Sequence, residues 1–277
     1  MKKEALIFNI GVGHKRSDFV SSVTARIKAV KQPRGGYIKP SMFESIQFDD
    51  ENVLFSNENV HVSIVGMVVD YMTRFLMTSD VNDAFSISKQ GAFNAEHFGV
   101  KGSVAEVSMY LSNIKGLDDN SIINACKAVT FDVWMRNPIM AISSKRACDT
   151  NADVTTIANI RIMIQRSLTF WNEYGPITVD GFTFGHGYTS TVDSGDGDFL
   201  TADTLWDYKV SKTGLKNTYT LQLLMYYIMG KHSGNPEFDN ITRIGAFNPR
   251  LNIAYVLDVN KIPSDVIAVV ERDVIGY

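Results

Sequence analysis

The chain has 277 residues, a formal net charge of −3, and a composition that is 45% hydrophobic and 21% charged. It is long enough to bury a substantial core, and too apolar for a disordered or fibrous chain. It holds no run of about 18 apolar residues, which argues against a membrane helix, and its acidic balance is not the global signature of a nucleic-acid binder, although a local patch is still allowed.

Met1-Lys2-Lys3-Glu4 followed by ALIFNIGVG reads as a first strand rather than a signal peptide. The apolar stretch is short, contains Asn9 and lacks a small-residue cleavage site. Cys126 and Cys148 form no CxxC pair, so no cysteine-based metal site is expected, and two lone thiols fit a reducing cytoplasm. The stretch KAVKQPRGGYIKPSMF holds Lys28, Lys31, Arg34 and Lys39 among prolines and glycines, and reads as a loop, either a phosphate-touching arm or a solvated one.

Residues 60–173 read mainly as helix. VSIVGMVVDYMTRFLMT has apolar residues at helical spacing. SVAEVSMYLSNI follows, with Ser103 and Glu106 spaced as a capping box. Two further helices are read in DDNSIINACKAVTFDVWM and in DVTTIANIRIMIQRSLTFWNEYG, which stops at Gly175 before Pro176. From Gly181 the texture changes to alternating Thr, Phe, Tyr and Val with Gly and Asp, predicting strands and turns. TYTLQLLMYYIMGKHS is a helix, ITRIGAFNPRLNIAYVLDV is two strands broken at Asn248-Pro249-Arg250, and a last helix starts near Pro263. The chain is therefore expected to be one α/β domain: a mixed segment over 1–60, a helical region over 60–175 and a β-β-α-β-β-α core over 176–277. The helices are expected to pack on the sheet, because one alternating sheet face needs a cover.

GDGDFLTADTLWDYKVSK, residues 195–212, crowds acids and lysines around Leu205-Trp206. A hairpin turning between Ala202 and Asp203 would put Asp198 directly opposite Asp207 on one face of the sheet, with Lys209 two residues further along that face. Two carboxylates a few ångströms apart repel unless a divalent cation lies between them, and all-oxygen ligands suit Mg²⁺ or Mn²⁺. Such an ion polarises a phosphoryl oxygen and activates water, and an ammonium beside it can orient that water and stabilise transition-state charge. A one-residue slip would break the arrangement, and a cross-strand salt bridge on a solvent face accounts for the same residues without chemistry.

An acid, a short hairpin and then Asp-x-Lys resembles the PD-(D/E)xK phosphodiesterase superfamily. Gly195-Asp196-Gly197-Asp198, and Gln222 and Tyr226 spaced as Gln-x-x-x-Tyr in the next helix, are similar to its RecB-like nuclease branch. The resemblance covers about residues 180–260 and implies a restriction-endonuclease-like mixed central sheet flanked by helices, here with a large helical N-terminal addition. By resemblance, Asp198, Asp207 and the backbone carbonyl of Tyr208 would bind the metal and Lys209 would be the catalytic lysine. Gln222 and Tyr226 would brace the site or contact the strand; read from the helix alone, Tyr226 is core and Gln222 a surface group. The branch often carries Gly-x-x-x-His upstream. Here Gly66 is followed four residues on by Asp70, which would be either a third metal ligand or the partner of Arg74 in a helical ion pair. Arg250, beside a turn, would reach a phosphate or stand as a surface residue, and His186, between glycines, reads as a turn residue.

The implied activity is a cytoplasmic metal-dependent nuclease, with DNA favoured over RNA, in a phage, defence or repair setting. No membrane partner is expected, and a second copy of the chain or a helicase or recombination partner would fit. The alternative is a non-catalytic nucleic-acid-binding or interaction protein on the same fold.

Overall fold

Leu205 and Trp206 are neighbours on one strand and both are buried, because both faces of their sheet are covered. The computed structural model describes residues 21–277, so the strand expected in ALIFNIGVG lies outside the described residues. A two-residue strand β1 (Ser21–Ser22) leads into helix α1 (Val23–Ala29), and β2 (Glu44–Gln47) follows. The polar stretch read as a loop thus begins as helix, with Lys28 in its last turn.

The helical region comprises α2 (Val62–Thr78), α3 (Val81–Ala84), α4 (Ser86–His97), α5 (Ser103–Ser112), α6 (Asp119–Ala128), α7 (Asp132–Arg136), α8 (Pro138–Ala141) and α9 (Val154–Tyr174). In α2 the apolar stripe Val65, Val68, Val69 and Met72 is fully buried, as its spacing requires. Asp153 caps α9 by accepting from the Thr156 N–H at 2.8 Å. The capping box expected at Ser103 does not form. Gly102, with φ of 85°, holds the cap position, Ser103 donates to the Val100 carbonyl and Glu106 accepts from the Tyr110 hydroxyl. Glu96 of the preceding helix instead accepts from the Val104 N–H.

The remaining elements are β3 (Val179–Thr183), β4 (Val192–Ser194), β5 (Asp196–Leu200), β6 (Thr204–Tyr208), α10 (Asn217–Ser233), β7 (Arg243–Asn248), β8 (Ile253–Asp258) and α11 (Ser264–Val269). β1 pairs in parallel with β4. The other six strands form a mixed sheet in the order β2-β8-β7-β6-β5-β3. Only the β6–β7 pair in it is parallel, and α10 supplies the crossover that such a pair needs. β2 extends the sheet beyond β8, pairing Glu44 with Val256 and Gln47 with Ile253, so the sheet is not confined to 176–277.

One face of the sheet, with Leu200, Leu205, Ile244 and Leu257, packs on α10, α1 and the C-terminal turns. The other, with Phe199, Trp206 and Phe247, packs on Phe170 and Trp171 of α9. A third cluster lies among α2, α4, α5, α6 and α9 and meets the sheet at Tyr208. Helices thus cover both faces, as expected of a mixed sheet flanked by helices. Among the described residues, no helix is long and apolar enough to cross a membrane.

Two arginines tie the helical layer to the β7–β8 turn. Arg166 of α9 donates to Asp50 and to the carbonyls of Pro249 and Arg250. Arg250, which the sequence left as a phosphate contact or a surface turn residue, is neither: it is buried in a two-pronged ion pair with Glu58 at 2.8 and 2.9 Å. Removing one partner strands a buried charge, so Glu58→Ala is expected to lose about 3–5 kcal/mol in urea unfolding. Glu58→Gln, which keeps an acceptor, is expected to lose clearly less; equal losses would show that charge pairing is not what the site provides.

Candidate functional site

The β5–β6 hairpin sets the geometry. Phe199 pairs with Trp206 and Leu200 with Leu205, and the Thr201 N–H donates to the Thr204 carbonyl across the Ala202-Asp203 turn. Continued by one residue, this register puts Asp198 against Asp207. Both carboxylates lie on the face of Leu200 and Leu205, toward α10. Gly197 makes room for the ring of Phe182, since a Cβ there would come within 2.1 Å of it. Lys209 follows directly on β6, its N–H bonded to the Phe247 carbonyl at 2.9 Å.

Asp207 is buried, and the Lys209 ammonium stands 2.7 Å from its Oδ2. The contact is a buried ion pair, and the Lys209 ammonium is the partner of this oxygen. Asp198 Oδ2 accepts from the Tyr208 N–H at 2.7 Å. Burial, then the charges of Asp207 and Asp70, push the Asp198 carboxyl up to about 7. Burial also raises Asp207, against the lowering pull of Lys209. Burial alone would lower Lys209, but the two carboxylates outweigh it and hold the ammonium above its usual range.

A cleft of 750 Å³ opens onto Asp198 and is lined also by Gly66, Asp70, Tyr208 and Tyr219. A second hollow of 440 Å³ shares Asp70 and Asp198 with it and continues to Arg74, Arg136, Asp180 and Asp196. Asp70 forms the helical ion pair that its spacing suggested. It lines the cleft with Asp198, and its Oδ1 accepts from Arg74 Nε at 2.9 Å, while Arg74 also pairs with Asp180.

Tyr208 lines the cleft, its hydroxyl meets Ser167 and its ring packs on Phe247. Gln222 and Tyr226 share one face of α10, with Gln222 Nε2 donating to the Tyr226 hydroxyl at 2.7 Å. Tyr226 is a core residue, and burial followed by the charge of Asp207 raises its hydroxyl. His186 is exposed in a short turn, and Arg250 faces Glu58 instead of the cleft.

The sequence reading passed over Lys212, Lys216, Tyr219 and Arg136, all of which line the two hollows. The first three lie within ten residues of Lys209, a basic and aromatic interleaving that was legible. Arg136, 62 residues before Asp198, carried no signal.

Among the described residues, no three His, Cys, Asp or Glu side chains converge on a common point. A divalent ion here would rest on Asp198, Asp207 and the Tyr208 carbonyl, with water or substrate oxygens completing the shell, as Mg²⁺ usually permits. Two carboxylates set against each other by the hairpin register, one of them lining the cleft, fit such an ion. Comparison with known proteins finds no family model that matches the chain, and no curated protein or solved structure similar to it.

The folded state holds the Asp198 proton more tightly than the unfolded chain does. Without metal, stability contributed at this site therefore falls as pH rises from 3.8 to about 7. Asp132, also raised by burial, acts equally in wild type and in Asp198→Asn, so their difference reports the Asp198–Asp207 pair. In thermal melts with EDTA, the advantage of Asp198→Asn over wild type is expected to widen by roughly 5 °C over that window. Millimolar Mn²⁺ is expected to stabilise wild type and not the variant; a pH-independent difference, or equal metal effects, would sink the assignment.

Proposed function

We propose that the chain is a metal-dependent phosphodiesterase of the PD-(D/E)xK type, RecB-like, acting on nucleic acid with DNA favoured. The observation that carries this reading is the hairpin register that sets Asp198 against Asp207, with the Lys209 ammonium 2.7 Å from Asp207 Oδ2 and Asp198 lining an open cleft. The mixed sheet flanked by helices and the bonded Gln222–Tyr226 pair beside the acids agree with it.

When bound, Mg²⁺ or Mn²⁺ would supply Lewis-acid polarisation of the phosphate and lower the pKa of a coordinated water. Asp198 and Asp207 would hold that ion, with Asp198 oriented by the Tyr208 N–H. Lys209, kept protonated by both acids, orients the attacking water and offsets charge developing on the phosphoryl oxygens. Gln222 holds the Tyr226 hydroxyl one turn along the same helix, which fixes both side chains on one face of α10. One observation favours the alternative of binding without cleavage: an oxygen of Asp70 is already bonded to Arg74, which leaves two carboxylates for the ion.

Labelled single- and double-stranded DNA incubated with Mg²⁺ or Mn²⁺ decides between the two. Cutting that EDTA abolishes, and that falls about 10²- to 10⁴-fold in Lys209→Ala, is the expected result. Tight binding with no cutting under either metal would replace the nuclease with a binding protein.

A further inference from the structure

The two hollows have different walls and meet at the acids. In the larger one, Val62, Met67 and Val210 form an apolar wall, and Lys212 and Lys216 are exposed at its rim. Tyr219 lies between them and the site: its ring centroid is 5.3 Å from the Lys209 ammonium and 5.9 Å from that of Lys216. The smaller hollow is lined by the guanidinium groups of Arg74 and Arg136 and by the carboxylates of Asp70, Asp83, Asp180, Asp196 and Asp198. Arg74 is taken by Asp70 and Asp180, whereas among the described residues Arg136 forms no ion pair.

From this arrangement we infer that the groove takes an extended single strand of nucleic acid, with a base on Tyr219 and a phosphate on Arg136, on opposite sides of the Asp198–Asp207 pair. The inference rests on the nuclease reading and adds the form of its substrate. A duplex keeps its base faces stacked inside and turns phosphates and sugars outward. It would leave Val62, Met67, Val210 and Tyr219 without an apolar surface to touch. A single strand exposes base faces that stack on aromatic rings, while its phosphates follow cations along a groove. The recessed acids point the same way. Asp207 is only 3% exposed and Asp198 is the member of the pair that lines both hollows, so the phosphate must enter the groove, which a flexible single strand can do without unpairing. Arg136 is held at the groove by the buried anchor of its own helix: the Asp132 carboxylate accepts from Tyr71 and Ser88, each at 2.6 Å.

The test is fluorescence anisotropy on the full chain in EDTA, with a labelled oligothymidylate, its RNA counterpart and a hairpin duplex of the same length. Single strands are expected to bind at least tenfold more tightly than the duplex, and the DNA and RNA arms separate the two sugar chemistries. Tyr219→Ala is expected to weaken single-strand binding about 5- to 100-fold, the range for loss of one base stack. Lys212→Ala/Lys216→Ala, both exposed and so safe for folding, is expected to flatten the log-affinity against log-salt slope by about 1.4. Arg136→Ala is expected to weaken binding at least threefold. Duplex binding as tight as single-strand binding, or single-strand affinity unmoved by these changes, overturns the inference. Cleavage in Mn²⁺ is read in parallel. Cutting without single-strand preference removes the strand assignment and leaves the nuclease, while variant-sensitive single-strand binding without cutting supports the strand path and removes the nuclease.

Discussion

The opposition of Asp198 and Asp207 across the β5–β6 hairpin is the constraint on which the site depends. Two carboxylates on facing strands repel, and burial makes each charge more costly still. The fold answers with three groups: the Tyr208 N–H on Asp198, the Lys209 ammonium beside Asp207, and a proton that burial holds on Asp198 up to about neutral pH. An arrangement tuned only for stability would place an apolar pair at this position, as the preceding Leu200–Leu205 pair does.

Everything around the hairpin serves to hold its register. Trp206 and Phe199 lock one face against Phe170 and Trp171, while Leu205 and Leu200 lock the other against α10. A slip of one residue would exchange these two sets, moving apolar side chains out of both cores at once. The parallel β6–β7 pair, crossed over by α10, then brings Gln222 and Tyr226 up behind the acids. The helical layer is joined to this sheet by the buried arginines 166 and 250, so it is a continuation of the core and not an appended unit.

The same layer gives the site its surroundings. α2 delivers Asp70 and Arg74 to the cleft, and α7 delivers Arg136. Asp70 and Asp198 therefore lie where two hollows meet, one with an apolar and lysine-rimmed wall, the other with the guanidinium groups of Arg74 and Arg136 among carboxylates. That asymmetry comes from helices that the motif itself does not include.

Much of this was legible in the chain itself, wherever the controlling contacts are local. The hairpin register follows from turn length and strand alternation, the Gln222–Tyr226 face from helical spacing, and the Asp70–Arg74 pair from an i, i+4 interval, because each depends on residues a few positions apart. The capping box at Ser103 failed although its spacing was right, because Glu96, from the preceding helix, took over a donor of that first turn. Arg250 looked like a surface turn residue because its partner, Glu58, lies 192 positions away. β2 at the far edge of the sheet and the place of Arg136 beside Asp198 were likewise beyond local pattern. Sequence by itself determined which side chains the hairpin and each helix present together, since backbone periodicity dictates that. Only the tertiary structure decided which of those faces meet, because packing between distant elements is set by the shape and burial of whole surfaces.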